Sequence, residues 1–119
     1  MIFAALAAAS QAHAECTVDD VSVTLTRAKW VNTCRTQECW SLKGTGVLEH
    51  RCSDRSVIML RLTGYDSKGV PVVTNEVAPF GVRAVRPGTH PFSIDHLLSY
   101  EPDAVAFGVE VVEVRGPLE

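Results

Sequence analysis

A chain of 119 residues with 46% apolar and 21% charged residues has the size and composition of one globular domain with one core, not of a disordered segment. Its formal charge of -3 carries no basic run, which argues against nucleic acid or an anionic membrane surface as partner, since both require a positively charged face.

Residues 1–14 contain no Lys, Arg, Asp or Glu and run through an alanine-rich apolar stretch to Ala12-His13-Ala14. Signal peptidase admits only small side chains at the positions that Ala12 and Ala14 occupy, so the segment reads as the remainder of a secretory signal peptide cleaved before Glu15. The apolar run is shorter than the ~20 residues a membrane-spanning helix needs, and it lacks a basic n-region, so the leader is expected to continue upstream. Glu15 in front of Cys16 favours soluble export over a lipid anchor, which needs a small residue there. A retained helix or a cytosolic tail is the competing reading. The expected location is periplasmic or extracellular, with 15–117 as a single domain.

From residue 21 the apolar period is two, which means strands. Val21, Val23 and Leu25 alternate with Ser22, Thr24 and Thr26, and the parity then flips to Ala28 and Trp30, as one extra residue near Arg27 would cause. A strand over 21–30 with a bulge near Arg27 is expected.

The polar connection 31–39 holds Cys34 and Cys39, and the next strand, 40–52, ends in Cys52. Residues equidistant from the turn of an antiparallel hairpin face each other. The hairpin therefore predicts nested disulfides, Cys34–Cys39 closing the loop and Cys16–Cys52 joining the open end. A zinc site is the rival use of the four cysteines, although the outer pair lacks the close spacing of structural zinc sites and export favours oxidation.

In the strand 40–52, Trp40, Leu42, Gly44, Gly46, Leu48, His50 and Cys52 share the inward parity. The two glycines leave room for a large side chain or a close backbone approach, and Trp30 or Trp40 is the expected occupant. Residues 57–65 form a central strand, Asp66-Ser67-Lys68-Gly69 a hairpin turn, and 70–77 a strand with Pro71 at a sheet edge. An irregular stretch over 79–85, a turn at Pro87-Gly88, a short strand around Phe92 and Ile94, and a helical turn over 97–100 follow. Residues 104–115 read as the longest strand, buried on both faces near its end and therefore central. Six long strands, or seven, without an amphipathic helix predict an all-β, immunoglobulin-like two-sheet antiparallel sandwich, with an up-and-down barrel as the alternative.

The run Gly44-Thr45-Gly46-Val47, then Leu60-Arg61-Leu62-Thr63-Gly64-Tyr65-Asp66, Lys68-Gly69 and Pro87-Gly88, resembles the bacterial FxLYD-type domains, which are exported immunoglobulin-like modules. The resemblance spans residues 40–114. Leu62 stands where the naming motif has phenylalanine and Gly64 where it has leucine. It implies a cell-envelope binding or spacer module, with no functional residue to carry over.

His50, His90 and His96 are the candidate metal ligands, dispersed over separate elements and read as structural histidines. Ser93, Asp95 and His96 have the residue types of a hydrolytic triad, but on one strand His96 points away from the other two, and no nucleophile elbow is present. The carboxylates Asp19, Asp20, Glu49, Asp54, Glu76, Glu101 and Asp103 are dispersed, and Ser53-Asp54-Arg55-Ser56 places a cation where calcium would need oxygen. No catalytic residue, metal ligand or cofactor is assigned. The expected function is a non-enzymatic binding or accessory module for a protein or envelope polymer. A periplasmic histidine metal-binding protein is the second reading, and an inhibitor of an extracytoplasmic enzyme the third. The exposed loop carrying Arg35, Thr36, Gln37 and Glu38 between its cysteines is the expected contact element.

Overall fold

The computed structural model describes residues 16–81 and 83–116, so the signal-peptide reading of residues 1–14 and the cleavage point at Glu15 lie outside the described residues. A single 3-10 turn, Val18–Asp20, leads into six strands: β1 (Val21–Asn32), β2 (Trp40–His50), β3 (Val57–Tyr65), β4 (Pro71–Val77), β5 (Gly88–Ser93) and β6 (Ala106–Arg115). They form two antiparallel sheets, in the orders β1-β2-β5 and β4-β3-β6. The chain makes the β1–β2 hairpin, crosses to make the β3–β4 hairpin, returns to lay β5 beside β2, and crosses again to lay β6 beside β3. The expected two-layer sandwich is thus observed, with six strands among the described residues.

The core lies between the layers. Leu42 and Leu48 of β2 meet Ile58, Leu60 and Leu62 of β3, with Ile94 and Leu98 closing one side. Each such side chain, fully removed from water, contributes about 1.5–3 kcal/mol. On β2 the even positions from Leu42 to His50 are buried and the odd ones half-buried or exposed, as its alternation predicts. The β1 register shifts between Leu25 and Arg27, which makes Thr26 the extra residue and accounts for the parity flip. Asp66 closes the β3–β4 turn by accepting the backbone N–H groups of Lys68 and Val70, both at 2.9 Å, and Gly69 takes the left-handed conformation with φ 81°.

Several expectations are corrected. The final strand begins at Ala106 rather than Ala104, is shorter than the 12-residue β1, and lies at a sheet edge. Its change of parity comes from a bulge at Val112, because Met59 pairs with Glu113 and Leu60 with Val111. The segment 97–100 forms no helical turn; a tight turn at Asp95-His96 precedes it, closed by the Leu97 N–H on the Ile94 carbonyl. The space over the β2 glycines is filled not by a tryptophan but by the neighbouring chain: a Cβ on Gly46 would lie 2.7 Å from the Phe92 ring, and one on Gly44 would lie 2.9 Å from Ile94 and collide with the Arg27 carbonyl. Of the two tryptophans proposed for that space, Trp40 is exposed and Trp30 half-buried.

Every edge strand is interrupted. β1 carries the Thr26 bulge, β6 the Val112 bulge, and β4 both Pro71 and an extra residue at Val72, while β5 contains Pro91, which has no N–H to donate.

Candidate functional site

The β1–β2 connection is held in one shape by its own polar groups. Asn32, the last residue of β1, accepts the backbone N–H of Cys34 at 3.1 Å and of Cys39 at 3.0 Å on a single side-chain oxygen. Thr33 donates both its N–H and its hydroxyl to the Cys39 carbonyl, each at 3.0 Å. The Cys34–Cys39 disulfide closes the same loop with a Cα–Cα distance of 5.3 Å. Arg35, Thr36, Gln37 and Glu38 are therefore presented, exposed, on a loop already ordered at both ends.

Directly after Cys39, Trp40 stacks on Tyr100, and Tyr100 meets the edge of Trp30 with ring centroids 5.0 Å apart. Trp30 in turn packs edge-on against Phe107 and donates its indole N–H to the Ala104 carbonyl at 3.0 Å. Trp40 and Tyr100 are 37% and 41% exposed, so the outer two rings of this chain of aromatics form a platform beside the loop while the inner two anchor it. An open groove of about 270 Å³ continues from Phe107 between the β1 bulge, residues 25–28, and the start of β6, where Val105 is exposed. Neither Asn32 nor Tyr100 was singled out by sequence reasoning. Asn32 lies at the foot of a hairpin loop, where side-chain capping is common, whereas nothing local marks Tyr100.

The three histidines do not converge on one site, although His50 and His90 lie on the paired strands β2 and β5. His90 donates from Nε2 to the Arg86 carbonyl at 2.7 Å and packs its ring edge-on to Phe80. His96 occupies the 95–96 turn with φ 65°, its N–H on the Leu42 carbonyl. His50 is buried beside the Cys16–Cys52 disulfide, and burial, aided by His90, holds its imidazole below the ordinary histidine range. Its Nδ1 accepts the Cys52 N–H at 3.2 Å.

Ser93, Asp95 and His96 form no relay among the described residues. Asp95 accepts the Gly44 N–H at 2.9 Å and lies 3.6 Å from the Lys43 ammonium; these partners, the Gly44 N–H first, keep its carboxyl below the usual range. The Ser93 hydroxyl accepts the Asp95 N–H. On the outer face of the second sheet, Arg61 of β3 bridges Glu76 of β4 at 2.8 Å and Glu110 of β6 at 3.1 Å, a structural tie across three strands.

In comparisons with family models, with characterised proteins and with solved structures, none matches this chain.

Proposed function

We propose that this chain is a non-enzymatic binding or accessory module of the bacterial periplasm or cell surface, and that it engages a protein or envelope polymer through the loop Arg35–Glu38 together with Trp40 and Tyr100. The observation that carries this reading is the stacked, exposed Trp40–Tyr100 pair beside a loop pre-ordered by Asn32 and a disulfide. Large rings at a surface supply contact area at low ordering cost, and a loop whose backbone is already fixed need not be ordered on binding. The interruptions on all four edge strands disfavour strand addition, which leaves the tip and the sheet faces.

Two disulfides support an oxidising, extracytoplasmic location, in keeping with the leader-like N-terminus. No helix among the described residues is long and apolar enough to cross a membrane. The resemblance to FxLYD-type domains points to the same kind of role. An inhibitor of an extracytoplasmic enzyme would use the same rigid loop, with Arg35 or Glu38 entering the enzyme's cleft.

The test is affinity capture from the envelope fraction with immobilised native protein, run in parallel with Trp40→Ala/Tyr100→Ala and Arg35→Ala/Glu38→Ala. A partner held by the native protein and lost on these variants is expected. A partner retained equally by all three places binding elsewhere.

A further inference from the structure

Cys16 sits just before the 3-10 turn and Cys52 just beyond β2, with their Cα atoms 5.6 Å apart. His50, two residues before Cys52, is 2% exposed, and its Nε2 has no hydrogen-bond partner among the described residues. A ring nitrogen of His50 and the two sulfurs lie within 4.8 Å of one another. An imidazole buried beside two sulfurs, its Nδ1 held by the Cys52 N–H and its Nε2 unanswered, is an unusual neighbour for a purely structural bridge, because buried polar atoms are ordinarily paired. Among the described residues the Cys34–Cys39 bridge has no such neighbour; the Gln37 amide lies 3.7 Å from the Cys39 sulfur.

We propose that the Cys16–Cys52 disulfide is the closed form of a metal site: once the bridge is reduced, the thiolates of Cys16 and Cys52 and the imidazole of His50 bind one thiophilic divalent ion, of which zinc is the type. While the sulfurs are bonded to each other they are not thiolate ligands, and the site does not exist. A tetrahedral ion with bonds of about 2.3 Å to sulfur and about 2.0–2.1 Å to nitrogen sets its ligands roughly 3.5–3.8 Å apart, so the two sulfurs must part once the bridge is reduced and His50 must give up the Cys52 N–H to ligate. Three protein ligands leave the fourth position to water or an added donor.

The chemistry balances with a dithiol as reductant. The dithiol gives two electrons and two protons to the Cys16–Cys52 bond and becomes a cyclic disulfide, leaving two thiols on the protein. The incoming divalent ion then displaces both thiol protons to solvent, and the two thiolate charges match its own. Cys16 and Cys52 are half-buried, so a small dithiol can reach them.

The test uses the full chain carrying Cys34→Ser/Cys39→Ser, so that one sulfur pair remains, reduced with a dithiol and exchanged into thiol-free anaerobic buffer. Zinc is titrated against a chromophoric chelator, and cobalt(II) serves as the spectroscopic probe. We expect about one equivalent of zinc on reduced protein and less than about 0.2 on oxidised protein, with the intense visible bands of a tetrahedral cobalt thiolate. Cys52→Ser should abolish uptake, and His50→Ala should weaken it at least ~10-fold, with near-UV circular dichroism retained. Reduced, folded protein that takes up no metal overturns the proposal. So does His50→Ala protein that binds as tightly as its parent, or uptake that appears only after the native circular dichroism is lost.

Discussion

Trp40 and Tyr100 lie with ring centroids 5.7 Å apart and planes 15° from parallel, which ties the base of the disulfide-closed loop to the segment ahead of β6. Because both rings are partly exposed, their contact adds little to the core. Trp40→Ala should lower stability by about 0.5–1.5 kcal/mol, against about 2–5 kcal/mol for Leu60→Ala, yet remove partner retention in the capture experiment. Denaturant unfolding of both variants, beside binding, separates the two effects; a Trp40→Ala protein that unfolds as readily as Leu60→Ala would make the ring part of the core.

The glycines should rank by what surrounds them. Alanine at Gly44 drives a Cβ into the Arg27 carbonyl and the Ala28 backbone, neither of which can turn aside, and should cost about 1–3 kcal/mol or more. Gly69 has open space but φ 81°, so alanine there costs roughly 1–2 kcal/mol through backbone strain alone. Gly116 has neither constraint and should change stability by less than about 0.5 kcal/mol. Urea midpoints of the three alanine variants test the order.

Acid should weaken the fold through His50 before it reaches the carboxylates. Burial lowers the folded-state pKa of His50 below its ordinary 6.5, with His90 acting in the same direction. As the pH drops through 6.5 the unfolded chain takes up a proton that the folded chain still refuses, so stability falls; above 6.5 both states are neutral and the contribution is constant. Unfolding midpoints between about pH 7.5 and pH 5 should therefore decline, and His50→Asn, which keeps an acceptor for the Cys52 N–H but cannot be protonated, should flatten that decline. Equal slopes for the two proteins would assign the acid sensitivity to another group.

The two disulfides should contribute unequally. Cys16–Cys52 spans 36 positions and Cys34–Cys39 spans 5. Closing the longer loop removes more freedom from the unfolded chain, so Cys16→Ser/Cys52→Ser should lose about 2–4 kcal/mol and Cys34→Ser/Cys39→Ser less. Paired unfolding curves give the comparison, and peptide mapping of unreduced protein should recover the two nested links.

Much of this architecture was legible because hairpin chemistry is local. The alternation on β1 and β2, the parity flip at Thr26, the Asp66–Gly69 turn and the nesting of the cysteines each follow from residues close in sequence, and each is observed. Val112 was misread because an inserted residue and burial on both faces leave the same trace in a strand, a run of apolar residues with broken parity. Trp40 has the inward parity of β2 but stands at its first position, where it stacks on Tyr100 and stays exposed; parity alone does not report where a neighbouring layer stops. The candidate tip was half legible. Arg35 to Glu38 were marked by their flanking cysteines, whereas Tyr100 joins them only through the return of the chain from the other sheet.

The interrupted edges also bear on how the protein behaves at high concentration. A smooth outer strand offers a row of unanswered amides on which an identical strand from another molecule can grow, and a two-layer fold has four such borders. Here the twist at Thr26, Val72 and Val112 and the missing amide at Pro91 break each border before a long matching stretch can form. Edge-to-edge growth of the native domain therefore requires that these strands first be straightened or unfolded.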